Sequence, residues 1–126
     1  MRALRILVVD DDVLNLRIAA RLLRELGHTG ALASDGDKAL RLLAEQSFDV
    51  MMLDVNMPHP CGDATLRALR AHEHTAGSKR LPVLMISGYV TEATRHHFMV
   101  AGADGFIEKP LALDVLATEL AQMIPG

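Results

Sequence analysis

The stretch Val50-Met51-Met52-Leu53-Asp54-Val55-Asn56-Met57-Pro58 decides the fold of this chain. Its first four residues are apolar, which predicts the end of a strand that is buried on both faces of a parallel sheet. The strand delivers a carboxylate, Asp54, to the sheet edge where open α/β folds place their ligands. Asn56 and Pro58 then break the strand into a loop. An aspartate in this position is more often a simple turn cap, so its meaning depends on what the other strand ends carry.

Composition indicates one small soluble domain over residues 1–126, long enough to bury a single core, in which half of the residues are hydrophobic. A net charge of −3 gives no electrostatic reason to bind nucleic acid or an anionic membrane. Cys61 is the only cysteine, which excludes an internal disulfide and fits a reducing compartment. No apolar run approaches the roughly 20 residues of a membrane span, and the start of the chain is too short and basic for a signal peptide. We therefore expect a cytoplasmic domain that contacts neither membrane nor nucleic acid directly.

Strands and helices alternate five times along the chain. Apolar runs predict strands at residues 6–9, 29–33, 49–53, 82–86 and 105–108. The helical period and the capping residues predict helices at about residues 13–26, 35–46, 62–72, 92–101 and 112–124. Residues 72–80 are polar, and we expect a long loop there. This alternation predicts a parallel sheet with helices on both faces, and the all-apolar strands 1, 3 and 4 should be central. The result is an α/β fold, a doubly wound flavodoxin-like (βα)5 sheet in the order 2-1-3-4-5.

Chemically useful side chains follow four of the five predicted strands. Asp10 and Asp11 follow strand 1, Asp54 follows strand 3, Ser87 follows strand 4 and Lys109 follows strand 5. In the predicted fold these ends meet at one edge of the sheet, where three carboxylates would raise one another's pKa values. Each residue has an ordinary explanation as a helix-terminal acid, a turn hydroxyl or a solvated lysine. Their joint occurrence in this order favours a site.

Phosphoryl transfer accounts for this set of residues. A hard divalent cation with oxygen ligands relieves the repulsion, and Mg²⁺ held by one or two carboxylates beside phosphate oxygens is the usual case. Lys109 supplies a point charge for a phosphoryl oxygen, and Ser87 supplies a hydroxyl donor. Asp54 is left as the nucleophile, since carboxylates can form acyl phosphates. Positioning and charge neutralisation are nearly all that this reaction requires of a protein.

Four short motifs stand at these strand ends, namely Val8-Val9-Asp10-Asp11, Leu53-Asp54-Val55-Asn56-Met57-Pro58, Ile86-Ser87-Gly88 and Glu108-Lys109-Pro110. Together they resemble the receiver domain of two-component response regulators, and the resemblance covers residues 5 to about 123. It implies that Asp54 is the phosphoacceptor, supplied by a sensor histidine kinase or a histidine phosphotransfer protein. The domain would then catalyse only its own phosphorylation and dephosphorylation.

The resemblance also implies a ligand set for Mg²⁺ or Mn²⁺. Asp11 and Asp54 would bind through their carboxylates, and Asp10 would bind directly or through water. The backbone carbonyl of Asn56 would complete the protein ligands. No other cofactor is implied.

A conformational switch is a further implication of the resemblance. Ser87 and Phe106 match the hydroxyl and aromatic pair that would act on the face of helix 4, strand 5 and helix 5. Lys109–Pro110 matches a peptide bond that is typically cis in the family. A phosphorylation-dependent dimer is compatible with such a switch.

Several positions depart from the commonest family pattern. His59-Pro60-Cys61 precede Gly62 where an aspartate usually stands before the glycine, and Ser87 and Gly88 replace the more frequent threonine and alanine. The remaining histidine clusters give no metal or phosphohistidine pattern, because neighbours one or two apart on a helix do not share a face. We expect the clustered histidines to lie on the surface: His72, His74, His96 and His97.

Two other classes of protein fit parts of the pattern. A degenerate receiver that acts only as an interaction module is disfavoured because every acidic, hydroxyl and lysine position is filled. A small flavodoxin-like enzyme or flavin carrier would need a phosphate-cradling loop after strand 1, where acids stand instead.

The long polar segment at residues 72–80 favours a receiver from a hybrid sensor histidine kinase that relays phosphate onwards. The alternative is a stand-alone receiver, or the N-terminal receiver of a longer regulator, that acts by binding protein.

Overall fold

A computed structural model describes residues 2–58 and 61–124 of the chain. Within these residues, the strands are β1 (Arg5–Val9), β2 (Thr29–Ala33), β3 (Val50–Asp54), β4 (Val83–Ser87) and β5 (Gly105–Glu108). The helices are α1 (Val13–Glu25), α2 (Gly36–Glu45), α3 (Gly62–Ala76), α4 (Glu92–Ala101) and α5 (Leu113–Met123). The unusual His59-Pro60 segment lies outside the described residues.

The strands form one parallel sheet in the order β2-β1-β3-β4-β5, which confirms the predicted topology. All residues of β3 and β4 are buried, because helices cover both faces of the sheet at its centre. The edge strand β2 is mostly exposed. The pairing aligns the carboxyl ends of the central strands, since Asp54 lies beside Ile86 and Ser87 lies beside Glu108.

Two hydrophobic cores lie on opposite faces of the sheet. Successive strand residues point to opposite faces, so Met51 and Leu53 enter one core and Val50 and Met52 enter the other. The first core is closed by helices α2, α3 and α4, and the second by α1 and α5. Within the described residues, no helix is both long enough and apolar enough to cross a membrane.

Helix α3 is longer than the sequence pattern predicts. We expected it to end near His72, but it continues to Ala76, so the expected long loop at residues 72–80 is wrong. The last turn is polar because most of its residues face solvent, whereas Glu73 faces inward and is paired with Arg70. Gly77 ends the helix in a left-handed conformation with φ of 66°, where glycine has no steric penalty. The short connection to β4 removes one argument for a hybrid kinase receiver.

Helix caps agree with the side chains that the sequence offers. The Asp12 carboxylate accepts a hydrogen bond from the Leu14 N–H at 2.9 Å and begins α1. Asp35 caps α2 and Thr91 caps α4 in the same way. The peptide bond between Lys109 and Pro110 is cis, as predicted.

Candidate functional site

The carboxyl ends of β1 and β3 bring three aspartates together. Asp10 directly follows β1, and Asp54 is the last residue of β3. Their side chains are buried, whereas Asp11 is exposed beside them. One carboxylate oxygen of each aspartate lies within 4.8 Å of those of the other two. The parallel sheet therefore brings together the three aspartates that were predicted from the sequence to form an acidic cluster.

Lys109 joins this acidic cluster from the end of β5. Its Nζ lies 3.1 Å from Oδ2 of Asp10 and 3.2 Å from Oδ1 of Asp54. The Lys109 backbone N–H donates a hydrogen bond to the Ser87 carbonyl at 2.7 Å, which holds the start of the cis peptide segment against β4. The lysine thus bridges the two buried carboxylates from an anchored backbone.

Burial raises the pKa of Asp54, and the neighbouring Asp10 charge raises it further against the opposing effect of Lys109. Burial lowers the pKa of Lys109, but the hydrogen bond to Asp10 and the charges of Asp54 and Asp10 outweigh it, so the pKa is raised. One ammonium group faces three carboxylates, which leaves a local excess of negative charge. Hard carboxylate oxygens of this kind suit a divalent cation such as Mg²⁺. The donor set therefore fits the expected metal.

The Asp54 carboxylate is expected to destabilise the fold when ionised. Because its pKa is raised in the folded state, its contribution to stability is full at low pH and is lost as pH rises through the folded-state pKa. Asp54→Asn should raise the free energy of unfolding at pH 7 by about 1 to 2 kcal/mol. This advantage should shrink as the pH falls from 7 through the folded-state pKa of Asp54, which lies above the ordinary aspartate value.

Urea unfolding of both proteins across this pH range measures the difference. Both contain His28, whose pKa is lowered by burial, so its titration cancels in the comparison. An advantage of Asp54→Asn that is independent of pH would contradict this account.

Ser87 and Phe106 lie on neighbouring strands, but only Ser87 stands at the edge of the sheet that carries the acids. The Ser87 hydroxyl is buried, donates to the Tyr89 carbonyl at 2.9 Å and accepts from the Tyr89 N–H at 3.2 Å. It is therefore engaged by its own loop. Phe106 pairs with Met85 and lies in the core beneath α4, with its ring centre 5.9 Å from that of Phe98.

The loop after β3 turns back tightly against the strand. The Asn56 backbone N–H donates to Oδ1 of Asp54 at 3.3 Å, so Asn56 contacts the Asp54 side chain through its backbone. A Cβ atom at Gly62 would lie 2.4 Å from the Asp54 carbonyl oxygen, which only glycine avoids. The metal-binding role of the Asn56 carbonyl stays a prediction.

Sequence reasoning missed a buried ionic network at the opposite edge of the sheet. The Arg70 guanidinium donates to Oε1 of Glu73 at 2.8 Å, to Oδ2 of Asp104 at 3.0 Å and to the Gly102 and Leu81 carbonyls. Arg80 also contacts Asp104, at 2.8 Å. The three-residue spacing of Arg70 and Glu73 was the available signal, but such spacing alone does not distinguish a buried pair from a solvated one.

A buried histidine was also missed. His28 lies between α1 and β2, and its Nδ1 accepts a hydrogen bond from the Leu4 N–H at 3.0 Å. Its ring thus satisfies a backbone donor just before β1. The four clustered histidines are exposed, as predicted, and so is Cys61.

The fold and this edge of the sheet together define a class of signalling domain. A sequence model of the response regulator receiver domain matches residues 6–121, and the chain belongs to that family. It is a receiver domain of two-component systems. Membership of this family excludes the alternative that the chain is a flavin carrier.

Curated relatives fall into short and long proteins. The chain is 40% identical over 124 residues to the chemotaxis protein CheY of Pseudomonas aeruginosa, and the match covers 95% of both. It is 36% identical over 119 residues to the transcriptional regulatory protein ZraR of Escherichia coli, of which it spans 26%. It is 34% identical over 116 residues to the sensor histidine kinase RcsC of Salmonella typhimurium, of which it spans 12%.

Solved structures show the same fold. The chemotaxis protein CheY4 of Vibrio cholerae superposes with a TM-score of 0.86 at 26% identity, covering 98% of this chain and 100% of that one. The receiver domain of Ssk1 from Saccharomyces cerevisiae, solved with the histidine phosphotransfer signalling protein Ypd1, superposes with a TM-score of 0.89 at 20% identity. That match covers 96% of this chain and 88% of that one. At this identity the Ssk1 match speaks for the fold alone.

Proposed function

We propose that Asp54 accepts a phosphoryl group from a phosphohistidine on a sensor histidine kinase or a histidine phosphotransfer protein. The observation that carries this proposal is the buried Asp54 carboxylate, 3.2 Å from the Lys109 ammonium and beside Asp10 and Asp11. A nucleophile, a cation for phosphoryl oxygens and a set of metal ligands are thus gathered at one sheet edge.

The reaction uses the chain's own groups as follows. An Asp54 oxygen attacks phosphorus, a P–O bond forms, and the N–P bond of the phosphohistidine breaks. The electron pair leaves on the imidazole nitrogen, which takes up a proton. Lys109 is already within hydrogen-bonding distance of Asp54, so its ammonium can follow the phosphoryl oxygens as charge builds there. The Ser87 hydroxyl would give up the Tyr89 carbonyl and donate to a phosphoryl oxygen instead.

We assign metal binding to Asp10, Asp11 and Asp54, with the Asn56 carbonyl as a further ligand. The oxygen donors and the uncompensated negative charge support Mg²⁺, and Mn²⁺ would suit the same ligands. A bound cation would supply positive charge that offsets the carboxylates and the incoming phosphoryl group. The exposed, unpaired Cys61 supports placing this chemistry in the reducing cytoplasm.

Removal of one metal ligand should impair phosphorylation strongly. Asp11→Asn is expected to slow phosphorylation by acetyl phosphate at least about ten-fold at fixed Mg²⁺, because fewer anionic ligands remain for a strongly hydrated ion. Asp11 is exposed, so the variant should fold normally. Intact-mass measurements over time give the rate, and EDTA should abolish phosphorylation of the wild type. Phosphorylation that proceeds equally well in EDTA would contradict the metal assignment.

A docking surface for the phosphohistidine partner borders the site. Ile18 of α1 and the segment Lys109-Pro110-Leu111 line a cavity of about 210 Å³, and exposed Leu14 lies one helical turn away. This apolar surface is continuous with Lys109, which contacts Asp54. A helix that carries the phosphohistidine could therefore pack on α1 while its imidazole reaches Asp54.

A substitution in this docking surface should slow transfer from a protein phosphodonor but not from acetyl phosphate. Ile18→Asp places a charge in the apolar contact and should slow transfer from a phosphorylated histidine phosphotransfer protein at least about ten-fold. Phosphorylation by acetyl phosphate should be unchanged, because that donor needs no docking surface. Val100→Asp is the matched control, since Val100 is an exposed apolar residue of α4 outside this cavity. An equal loss with both donors would assign Ile18 a structural role.

We propose that phosphorylation switches the face of α4, β5 and α5 through Ser87 and Phe106. The Ser87 hydroxyl exchanges the Tyr89 carbonyl for a phosphoryl oxygen, and this exchange is the differential contact that a switch requires. Phe106 contacts Phe98 of α4, so its movement would be transmitted to that helix.

Two settings for the parent protein are supported by different relatives. The similarity to the sensor histidine kinase RcsC supports a relay within a hybrid kinase, where Asp54 passes phosphate to a histidine phosphotransfer protein. The match along 95% of CheY supports a stand-alone receiver that acts by protein binding. Phosphotransfer profiling distinguishes them, because rapid, reversible exchange with a phosphotransfer protein is expected only of the relay.

A further inference from the structure

An unsatisfied carboxylate oxygen lies between α3 and α4. Asp63 stands in the first turn of α3, and its Oδ1 atom is buried without a hydrogen-bond partner among residues 2–58 and 61–124. The nearest polar group across the interface is Nε2 of His97 on α4, at 3.5 Å. This distance is too long for a formed hydrogen bond, but a small shift would close it. A buried acceptor of this kind is costly to leave unpaired.

The same histidine touches the aromatic residues that lead to the proposed switch. The His97 ring packs edge-on against Phe98 with 5.0 Å between ring centres, and Phe98 contacts Phe106 at 5.9 Å. Phe98 is buried, so it cannot move without a change in the packing of α4. A contact at His97 is thereby coupled to the position of Phe106.

Helix α4 is attached to α3 by polar groups at two points. At its C-terminal end, Arg70 of α3 donates to the Gly102 carbonyl at 2.8 Å and 3.0 Å. Near its middle, Nε2 of His97 lies 3.5 Å from Oδ1 of Asp63. A proton on the imidazole would strengthen this second contact by adding a charge, and histidine is the side chain that ordinarily does so in the physiological range.

We propose that Asp63 and His97 form a protonation-dependent latch between α3 and α4 that holds α4 in its resting position. The latch rests on the proposed function, since it opposes the switch through Ser87 and Phe106. Protonated His97 donates to Oδ1 of Asp63 in a charge-assisted hydrogen bond, whereas neutral His97 has no charge to contribute. The Ser87 hydroxyl is engaged by Tyr89 in this arrangement, which identifies it as the resting state of the proposed switch.

The groups around the latch come from α3 and from α4 itself. From α3, Arg67 lies 2.9 Å from Oδ2 of Asp63 and so occupies the other carboxylate oxygen. On α4 itself, the His97 ring adjoins the apolar ring of Phe98. The α4 residues one turn from His97 are uncharged: Ala93, Thr94, Val100 and Ala101.

The latch predicts that acid weakens binding of a phosphoryl mimic at Asp54. A ligand that favours a shifted α4 must break the latch, so its affinity falls when the latch is protonated. Beryllofluoride with Mg²⁺ is the probe, and amide shifts measure its affinity at about pH 8 and pH 6, on either side of the usual histidine pKa. The ratio of the dissociation constant at pH 6 to that at pH 8 should be about two- to five-fold larger in the wild type than in His97→Gln or Asp63→Asn. His96→Gln is the matched control on the same exposed helix surface and should behave like the wild type.

The outcomes of this experiment distinguish failure of the latch from failure of the proposed function. Equal ratios in all four proteins would overturn the latch, as would a change in His97→Gln that is absent from Asp63→Asn. If beryllofluoride does not bind the wild type, or binds Asp54→Asn equally well, the proposed function fails. In that case the latch is tested without ligand. The Asp63 amide shift should change between about pH 8 and pH 6 in the wild type, and this change should be absent from His97→Gln.

Discussion

Replacing Asp54 with asparagine is expected to abolish phosphorylation of the domain by acetyl phosphate. The amide oxygen is uncharged and cannot form an acyl phosphate, while the shape of the buried side chain is nearly kept. In the part of the chain that the structure describes, no other carboxylate has the same surroundings. Asp10 contacts Lys109 and also accepts a hydrogen bond from the Asp12 N–H at 2.9 Å, and Asp11 is exposed. Intact mass after incubation with acetyl phosphate and Mg²⁺ should show one phosphate adduct on the wild type and none on the variant.

The control for this experiment is Asp12→Asn. Asp12 is adjacent to the acidic cluster but caps α1, and asparagine caps helices as well as aspartate does. This variant should be phosphorylated at the wild-type rate. An adduct that persists in Asp54→Asn would assign the acceptor to another residue. Because Asp54→Asn should be more stable than the wild type, loss of phosphorylation in it would not be a consequence of unfolding.

Truncation of Arg70 is expected to cause the largest loss of stability among the substitutions considered. Arg70→Ala should lower the free energy of unfolding by about 3 kcal/mol, because it leaves the buried Glu73 and the partly buried Asp104 without their shared cation. The Gly102 and Leu81 carbonyls would lose donors as well. Arg80 would still contact Asp104 but is half-exposed, so it offsets only part of the loss.

Chemical denaturation of Arg70→Ala and Arg67→Ala tests this prediction. Arg67 stands one turn earlier on the same helix and pairs with Asp63, but its side chain is 65% exposed, so its loss should cost less than about 1 kcal/mol. Equal destabilisation by the two substitutions would show that the Arg70 network contributes no more than a surface pair.

The Arg70 network also bears on the site at the other edge of the sheet. Asp104 accepts from the Val83 N–H at 2.8 Å, and Glu73 accepts from the Leu81 N–H at 2.7 Å. Both bonds fix the start of β4, whose other end carries Ser87. Arg70→Ala is therefore expected to loosen the strand that positions the Ser87 hydroxyl.

The sequence by itself determined the strand order and the residues at the acidic edge. The apolar runs of β1, β3 and β4 lack alternation, which requires burial on both faces and hence a central place in a parallel sheet. Parallel strands then carry their C-terminal residues to the same edge, so Asp10, Asp54 and Lys109 meet. These conclusions follow from local periodicity and from connection rules that apply to all such folds.

Only the tertiary structure decided the length of α3, the engagement of the Ser87 hydroxyl by Tyr89, and the contacts of Arg70 and Asp63. A polar turn is compatible with either a loop or an exposed helical surface, and polarity alone does not separate the two. Arg70 meets Asp104, 34 residues later, and Asp63 meets His97 across two helices, so both contacts depend on how α3 and α4 pack on the sheet. Local sequence patterns report burial of a segment, whereas partners so distant in sequence are set by the packing of whole elements.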